Sequence, residues 1–367
     1  IFLDLTARND WSSTLPSDNN SYFYPSASLS VLLSDMLGLS AKNKISYIKL
    51  RGNISQVGSD VSPYTLNNTV TVSSWGNTSQ ANQETNLKNS SLKPEISTSS
   101  EIGAEMRFFG NRLGLDFTYY ITKIKNQVMN ISTTMASGYS AKVINAGKIQ
   151  NKGIEFTLKG TPIDNEFKWE IAANFSRNRN KILKLAEGIT EINIGGGEGV
   201  NYYAREGKEL GDIYARTWET VPSGPYKGEP ILTMNGFKVK NEWEKIGNYN
   251  PDFMVGFTNT FSFKGFTLNA LIDWRQCGDF YSYVAKNLIS DGRTTNTLFG
   301  RNAEYGGLPW KSGGIQRDDG MLLHGFFNTG GDNYVQNTSL YVSPPTYYGA
   351  LYWSFNKLTT FSATYVK

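Results

Sequence analysis

One cysteine and one histidine are all that this chain of 367 residues contains of either. A lone Cys277 excludes an internal disulfide framework and a cysteine-based zinc site. A lone His324 leaves little for histidine metal ligation or for acid–base catalysis. No stretch approaches the roughly 18 consecutive apolar residues that a membrane-crossing helix needs. Neither sign of charge predominates: the net charge is +4, acids and bases are intermixed, and nothing points to nucleic acid. Neither a methionine start nor a secretory signal is present. The chain opens in a strand-like run, 1–9, and closes in another, 361–367. Open sheet edges in lipid would leave backbone groups without partners, so these ends predict an internal piece of a longer protein.

What the chain does have is aromatic side chains, with 21 Tyr and 20 Phe in an otherwise polar composition. It also has strands whose charges keep to one face. In a strand successive side chains point to opposite sides, so each run defines two faces. Glu101, Gly103, Glu105 and Arg107 oppose Ile102, Ala104, Met106 and Phe108. Arg112, Gly114, Asp116, Thr118, Tyr120 and Thr122 oppose Leu113, Leu115, Phe117, Tyr119 and Ile121. The same sorting sets Asp4 and Arg8 against Ile1, Leu3, Leu5 and Ala7, and Lys49 and Arg51 against Ile48, Leu50 and Ile54. It sets Glu155 and Lys159 against Ile154, Phe156 and Leu158, and Lys168 and Glu170 against Phe167, Trp169, Ile171, Ala173 and Phe175. Asp273 and Arg275 oppose Phe266, Leu268, Ala270, Ile272 and Trp274. A soluble sheet alternates too, so periodicity alone does not decide between water and lipid.

Alternation and turn chemistry together predict about ten strands, near 1–9, 24–32, 46–56, 98–109, 112–124, 153–160, 167–177, 253–263, 266–275 and 359–367. Gly110-Asn111 and Lys264-Gly265 read as tight hairpin turns, and 161–166, with Pro162, Asp164 and Asn165, as a slightly longer one. The connection 33–45 is apolar enough for a turn of helix. Between these lie long segments near 57–97, 125–152, 178–252 and 276–358. Short turns therefore fall at one end of the strands and long loops at the other, which is the arrangement of an outer-membrane barrel. A Lys or Arg facing lipid at mid-bilayer costs about 2–4 kcal/mol, so the charged faces must look into the lumen. The fold class expected is all-β, a transmembrane antiparallel β-barrel. Trp169, Phe175 and Trp274 then sit at the lipid-facing strand ends, where aromatic girdles belong.

Several stretches resemble the barrel region of SusC/RagA-type TonB-dependent transporters of Bacteroidota. They are Leu5-Thr6-Ala7-Arg8-Asn9-Asp10-Trp11-Ser12-Ser13 with Tyr22-Phe23-Tyr24-Pro25-Ser26, Lys49-Leu50-Arg51 with Val57-Gly58, and Leu92-Lys93-Pro94-Glu95. Asn151-Lys152-Gly153-Ile154-Glu155 and Gly247-Asn248-Tyr249-Asn250-Pro251-Asp252-Phe253 follow in the family's order. After Asp273-Trp274-Arg275 the family usually shows a glycine-rich run, whereas this chain has Gln276-Cys277-Gly278-Asp279. The resemblance implies about ten strands of a roughly 22-stranded barrel, in the outer membrane of a Gram-negative bacterium, without the plug or TonB-box. It implies TonB-dependent import of large nutrients, chiefly glycan oligosaccharides and in a minority peptides. The implied partners are a SusD-like surface lipoprotein, the TonB complex, the remaining chain with its plug, and outer-membrane lipid.

A glycan site needs aromatic platforms flanked by carboxylates and amides. The loops offer Tyr202, Tyr203, Trp218, Tyr226 and Trp243, then Tyr305, Trp310, Asp318, Asp319, Asn333 and Tyr334. The plainer reading is that these rings pack the loops against one another or meet the lipoprotein. Glu101, Glu105, Arg107, Arg112, Asp116, Glu155, Lys159, Asp273 and Arg275 form the luminal set, which could steer substrate but more simply pairs internally or docks the plug. Gly195-Gly196-Gly197-Glu198-Gly199 lacks the lysine and the strand-to-helix setting of a phosphate loop, which leaves a flexible tip. No cofactor is expected. Asp318, Asp319 and Asp332 with Asn333 could help hold Ca²⁺, without the spacing of an EF-hand. His324 reads as structural and Cys277 as an unpaired, semi-buried thiol. No catalytic constellation is found, so an enzyme is not expected. A passive porin or adhesin barrel, and a soluble β-rich binding protein, remain the alternatives from other classes.

Overall fold

In the computed structural model the alternating runs become strands of one sheet; residues 1–39, 44–197, 199–234, 236–238, 240–344, 347–348, 360–362 and 365–366 are described. The strands are β1 (Phe2–Trp11), β2 (Ser21–Leu32), β3 (Ile45–Ser59), β4 (Glu95–Phe108), β5 (Leu113–Lys125), β6 (Gly147–Asp164), β7 (Phe167–Leu185), β8 (Phe253–Phe263), β9 (Phe266–Gln276) and β10 (Tyr365–Val366). Each is hydrogen-bonded to its neighbours in chain order, and every pairing is antiparallel. The strand expected at 359–367 divides. Thr360–Ser362 pairs with Asp279–Tyr281 and β10 with β9, while 359, 363, 364 and 367 lie outside the described residues.

The tight turns lie at one end. Lys264 and Gly265 have φ of 45° and 85°, the left-handed pair that a two-residue hairpin with matched twist requires. Phe109, Gly110 and Asn111 are also left-handed, between the closing pair Phe108 and Leu113. The connection after β2 holds a one-turn helix, Leu33–Met36, as its apolar residues predict; 40–43 lie outside the described residues. The turn expected at 161–166 is shorter than predicted. β6 continues to Asp164 through a bulge between Gly160 and Ile163, leaving only Asn165 and Glu166 to turn. Pro162 has no N–H to give to a ladder, and a bulge is where a strand tolerates that loss.

Above the other end the wall goes on further than alternation shows. β6 begins at Gly147 and β7 ends at Leu185, so this hairpin projects well beyond the apolar stretch. The long connections carry small sheets of their own. Val70–Trp75 pairs with Thr78–Gln83, and Val128–Ser132 with Ala141–Asn145. Glu191–Gly197, Val200–Arg205, Asp212–Ala215 and Glu244–Asn248 form a four-stranded sheet. Ile231–Thr233 joins Phe326–Gly330, tying two of the long loops together.

The buried apolar residues lie in this canopy rather than against the wall's outer face. One cluster is Ala146, Ile182, Leu185, Ile192 and Ala204, a second is Leu15, Val61, Leu92 and Val143, and a third is Val200, Ile213 and Ala215. The wall's outer face is apolar and bare, with Leu3 at 65 % exposure and Leu268 at 64 %. An uncovered apolar face of this extent belongs against lipid. Rings mark both of its rims. Trp169 and Phe167 stack on Phe261 at 5.9 and 6.2 Å near the turns; Phe253 meets Phe175 and Trp274, each at 5.6 Å, near the loops. Trp169 and Phe175 are six residues apart on β7, about 20 Å of strand.

Candidate functional site

The inner face of the wall is built from the charged positions of the alternation. Arg51 on β3 reaches over β4 to Asp116 on β5, donating from Nη1 to Oδ2 at 2.7 Å and from Nη2 to Oδ1 at 2.6 Å. Nη2 also donates to the Thr118 hydroxyl at 2.6 Å. The crossing is possible because Gly103 stands between them: a Cβ there would lie 2.7 Å from Arg51 Nε and 2.9 Å from the Phe117 carbonyl oxygen. Arg107 donates to Glu105 at 2.8 Å and lies over the Tyr47 ring at 4.7 Å. Lys168 donates to Glu170 at 2.8 Å.

Five of the nine predicted luminal residues come together. Glu105, Arg107, Arg112, Asp116 and Lys159 line one recess of about 580 Å³, joined by Thr157, Glu170, Thr258 and Thr260. Arg112 is less free than expected, since its Nη2 donates to the carbonyls of Thr161 at 3.2 Å and Pro162 at 2.8 Å and so braces the β6 bulge. Glu101, Glu155, Asp273 and Arg275 share the face but not the recess; Arg275 donates to the Tyr249 carbonyl at 2.8 Å. Arg51 and Glu170 complete the charge pattern. Both were visible in the alternation, and what it could not show is which strand-to-strand partners they find. The recess holds both signs of charge, largely paired, beside hydroxyls. It can receive a polar surface, and it contains no nucleophile held by a base.

The loop candidates divide by exposure. Tyr203 is buried between Tyr214 and Trp243, at 5.6 and 5.9 Å, and Arg205 lies over its ring at 5.0 Å. Tyr202 meets Tyr249 edge-on at 6.2 Å, Trp218 packs on Phe237 at 4.7 Å, and Trp243 sits under Arg216. These four rings hold the canopy together. Tyr226 and Tyr305 each keep 44 % exposure, although Tyr226 also rests on Phe326. Among the loop aromatics proposed for ligand, these two present the most ring to a visitor.

Trp310 Nε1 donates to Asp319 at 2.9 Å and Arg317 Nε at 2.8 Å. Arg317 pulls the Asp319 carboxyl down to about 2, against burial that raises it and with help from Trp310. Asp318 is exposed and accepts weakly from the Ala303 N–H at 3.4 Å, so the neighbouring acids do not converge. Among the described residues no three His, Cys, Asp or Glu gather as a cation cage. At the loop-side rim Arg179 donates to Asp252 at 2.6 Å and holds that carboxyl below its ordinary range, with the Cys277 thiol as a second donor. His324 is exposed, with Leu323 and Phe326 buried around it.

The glycine run is not a loose tip. Gly195, Gly196 and Gly197 continue the strand Glu191–Gly197 and pair with Val200, Asn201 and Tyr202, while Glu198 lies outside the described residues. A Cβ on Gly196 would fall 2.4 Å from Asn201 Oδ1 and 2.5 Å from the Val200 carbonyl oxygen, so the glycine admits a close strand approach.

Comparison with known proteins places this geometry. The family described as TonB dependent receptor-like, beta-barrel matches residues 2–275. TonB-dependent receptor P3 of Formosa agariphila is 30% identical over 311 residues, covering 78% of this chain and 31% of its own length. TonB-dependent receptor SusC of Bacteroides thetaiotaomicron is 24% identical over 329 residues, covering 81% of this chain and 32% of its own. The chain thus spans about a third of the length of these relatives. Among solved structures, the RagAB peptide transporter superposes with a TM-score of 0.67 at 20% identity, covering 100% of this chain and 38% of that one. The RagAB peptide importer in its closed-closed state gives 0.63 at 20% identity, covering 86% of this chain and 34% of that one.

Proposed function

The chain belongs to the TonB dependent receptor-like β-barrel family of Gram-negative outer membranes, and from that premise we propose that it forms part of the wall and canopy of an importer of large polar nutrients. Members of this family are receptors and transporters rather than enzymes. The observation that carries the proposal is the division of the wall into a bare apolar outside and a charged, recessed inside, with loops that carry small sheets at one end. A passive pore has a polar lumen too; the family match adds that this wall faces a movable plug, which an importer must seat against a polar surface. The inner recess is the surface for that plug, and the plug's link to an inner-membrane TonB complex supplies the energy.

The cargo proposed is a glycan oligosaccharide, enclosed under a SusD-like surface lipoprotein. Tyr226 and Tyr305 are the rings placed to stack on a sugar's apolar face. A second reading, peptide cargo, is favoured by the likeness of the chain to the RagAB peptide transporter. Growth of a deletion strain on a panel of glycans and peptides tests both. Loss of growth on one glycan class supports the first, loss on peptides the second, and unchanged growth on all of them removes the import reading.

A further inference from the structure

On the outer face of β5, β6 and β7 the side chains fall into rows that change character abruptly. Phe117, Phe156 and Phe175 lie side by side. Above them the rows are Tyr119, Ile154 and Arg177; then Ile121, Lys152 and Arg179; then Lys123, Gln150 and Lys181; then Lys125, Lys148 and Lys184. Arg179 is paired with Asp252. The other seven cations, Lys123, Lys125, Lys148, Lys152, Arg177, Lys181 and Lys184, are all exposed and make no ion pair among the described residues.

The opposite face of the same hairpin is covered. Ile149 and Ile182 point inward at 7 % and 1 % exposure, and Ile182 packs with Leu185, Ile192 and Ala204 under the canopy. The basic face is therefore the one left for the surroundings. Like charges directly across neighbouring strands repel, at about 4.8 Å between strands. A row such as Lys125, Lys148 and Lys184 calls for an anion from outside.

An apolar recess of about 410 Å³ adjoins the lower rows of the patch, lined by Leu29, Gly52, Ile54, Ile102, Tyr119 and Ile121. The two features share an edge, because Ile121 pairs with Lys152 and Tyr119 with Ile154. The recess opens on the lipid-facing side in the rows of Tyr119 and Ile121, with Lys152 in the second of these rows; Lys123, Lys125 and Lys148 stand in the next rows toward the loops, beyond the aromatic row. An amphiphile in the outer leaflet has the same order, chain below and headgroup above.

We propose that this surface is a binding site for a phosphate-bearing lipid of the outer leaflet, with an acyl chain in the recess beside Gly52 and the phosphates on Lys123, Lys125, Lys148 and Lys152. Charge complementarity and continuity with the lipid-facing wall assign the occupant. Anionic headgroups relieve the repulsion between the lysine rows, and the recess gives the chain a fixed seat that a uniform apolar wall would not.

The test uses the full-length transporter in mild detergent, with native mass spectrometry counting retained lipid A and the same lipid stripped of its phosphates. Wild type is expected to retain the phosphorylated form at least tenfold better, a comparison that needs no variant. Replacing the four lysines together (K123Q, K125Q, K148Q and K152Q) lowers retention about tenfold, and Ser100→Leu, which fills the recess, lowers retention of both forms. Lys49→Gln on the inner wall leaves retention as in wild type. Equal retention of the two lipid forms by wild type overturns the proposal. So does full retention by the fourfold variant, or an equal loss with Lys49→Gln. If the fourfold variant instead loses a co-purifying protein with its lipid unchanged, the patch belongs to that protein and the lipid site is disproved.

Discussion

Arg51 and Asp116 stand two strands apart and still form a two-point ion pair, because Gly103 on the strand between them has no side chain to block the path. Their side chains are 35% and 37% exposed, so solvent screens the pair and its net worth is modest. Its value lies in tying three strands of the inner wall at one height. Arg51→Gln and Asp116→Asn should each lower the urea midpoint of the full-length protein slightly, and combined they should show a coupling of about 1 kcal/mol. Strict additivity would mean that the pair contributes nothing beyond proximity.

Gly103 itself makes a sharper prediction. An added Cβ collides with the Phe117 carbonyl as well as with Arg51. Moving the guanidinium therefore does not relieve the whole clash. Gly103→Ala should destabilise by about 1–3 kcal/mol, the range for overpacking, even in an Arg51→Gln background. Unfolding of the two double-variant partners compared side by side decides it: a Gly103→Ala cost that vanishes once Arg51 is gone would place the strain in the side chain alone.

Orientation of the wall has a signature of period two. Spin labels placed singly along β5, in a Cys277→Ser background, should report oxygen access at 113, 115, 117, 119 and 121 and access to a water-soluble nickel chelate at 114, 116, 118 and 120. A label series with uniform accessibility would contradict a sheet with one face in lipid.

Cys277 occupies a left-handed conformation, φ 58°, next to Gly278 at 98°. A non-glycine residue there costs about 1–2 kcal/mol. Cys277→Gly should recover up to about 1 kcal/mol, offset in part by loss of the thiol's bond to Asp252, and Cys277→Val should lower the melting temperature. If glycine destabilises more than valine, the thiol contact outweighs the backbone.

The loop strand Ile315–Leu322 carries a pH test in Asp319. Its folded pKa is depressed to about 2 by Arg317, so its contribution to local stability is complete above its ordinary value near 4 and is lost as pH falls through about 2. Amide exchange, corrected for its intrinsic pH dependence, should show protection of this strand constant from pH 7 to 5 and falling below 4. Asp319→Asn should remove that acid dependence and lower protection already at pH 7; an unchanged profile would show that Arg317 and Trp310 do not anchor the strand.

The wall was legible in the sequence because lipid imposes a rule on every second residue. Glu105, Arg107, Asp116 and Lys159 were placed on one face from parity alone, and all four line the recess. Legibility ended where lipid ends. Beyond Phe175 the outer positions become Arg177, Arg179 and Lys181, the contrast between faces inverts, and β7 looks like loop although it runs to Leu185. Pro162 misled for a local reason, since a bulge and a turn accept proline alike. The canopy was opaque because its packing is long-range. Nothing near Tyr203 in sequence announces that Trp243 will lie against it, and nothing near Ile231 announces Phe326.

The β6–β7 hairpin extends unbroken from the bilayer into the canopy, so its side-chain parity is inherited from the membrane below. Deleting a single residue between 176 and 181 would rotate everything above it by half a pleat, exposing Ile182 and driving lysines under the loops. Two deleted residues would only lower the roof by one step. Length variation in this stretch is thereby constrained to even numbers, or to odd ones absorbed by a bulge such as the one beside Lys148 and Ile149. The canopy can be remodelled freely for new cargo at its tips, while its mast tolerates change only in pairs.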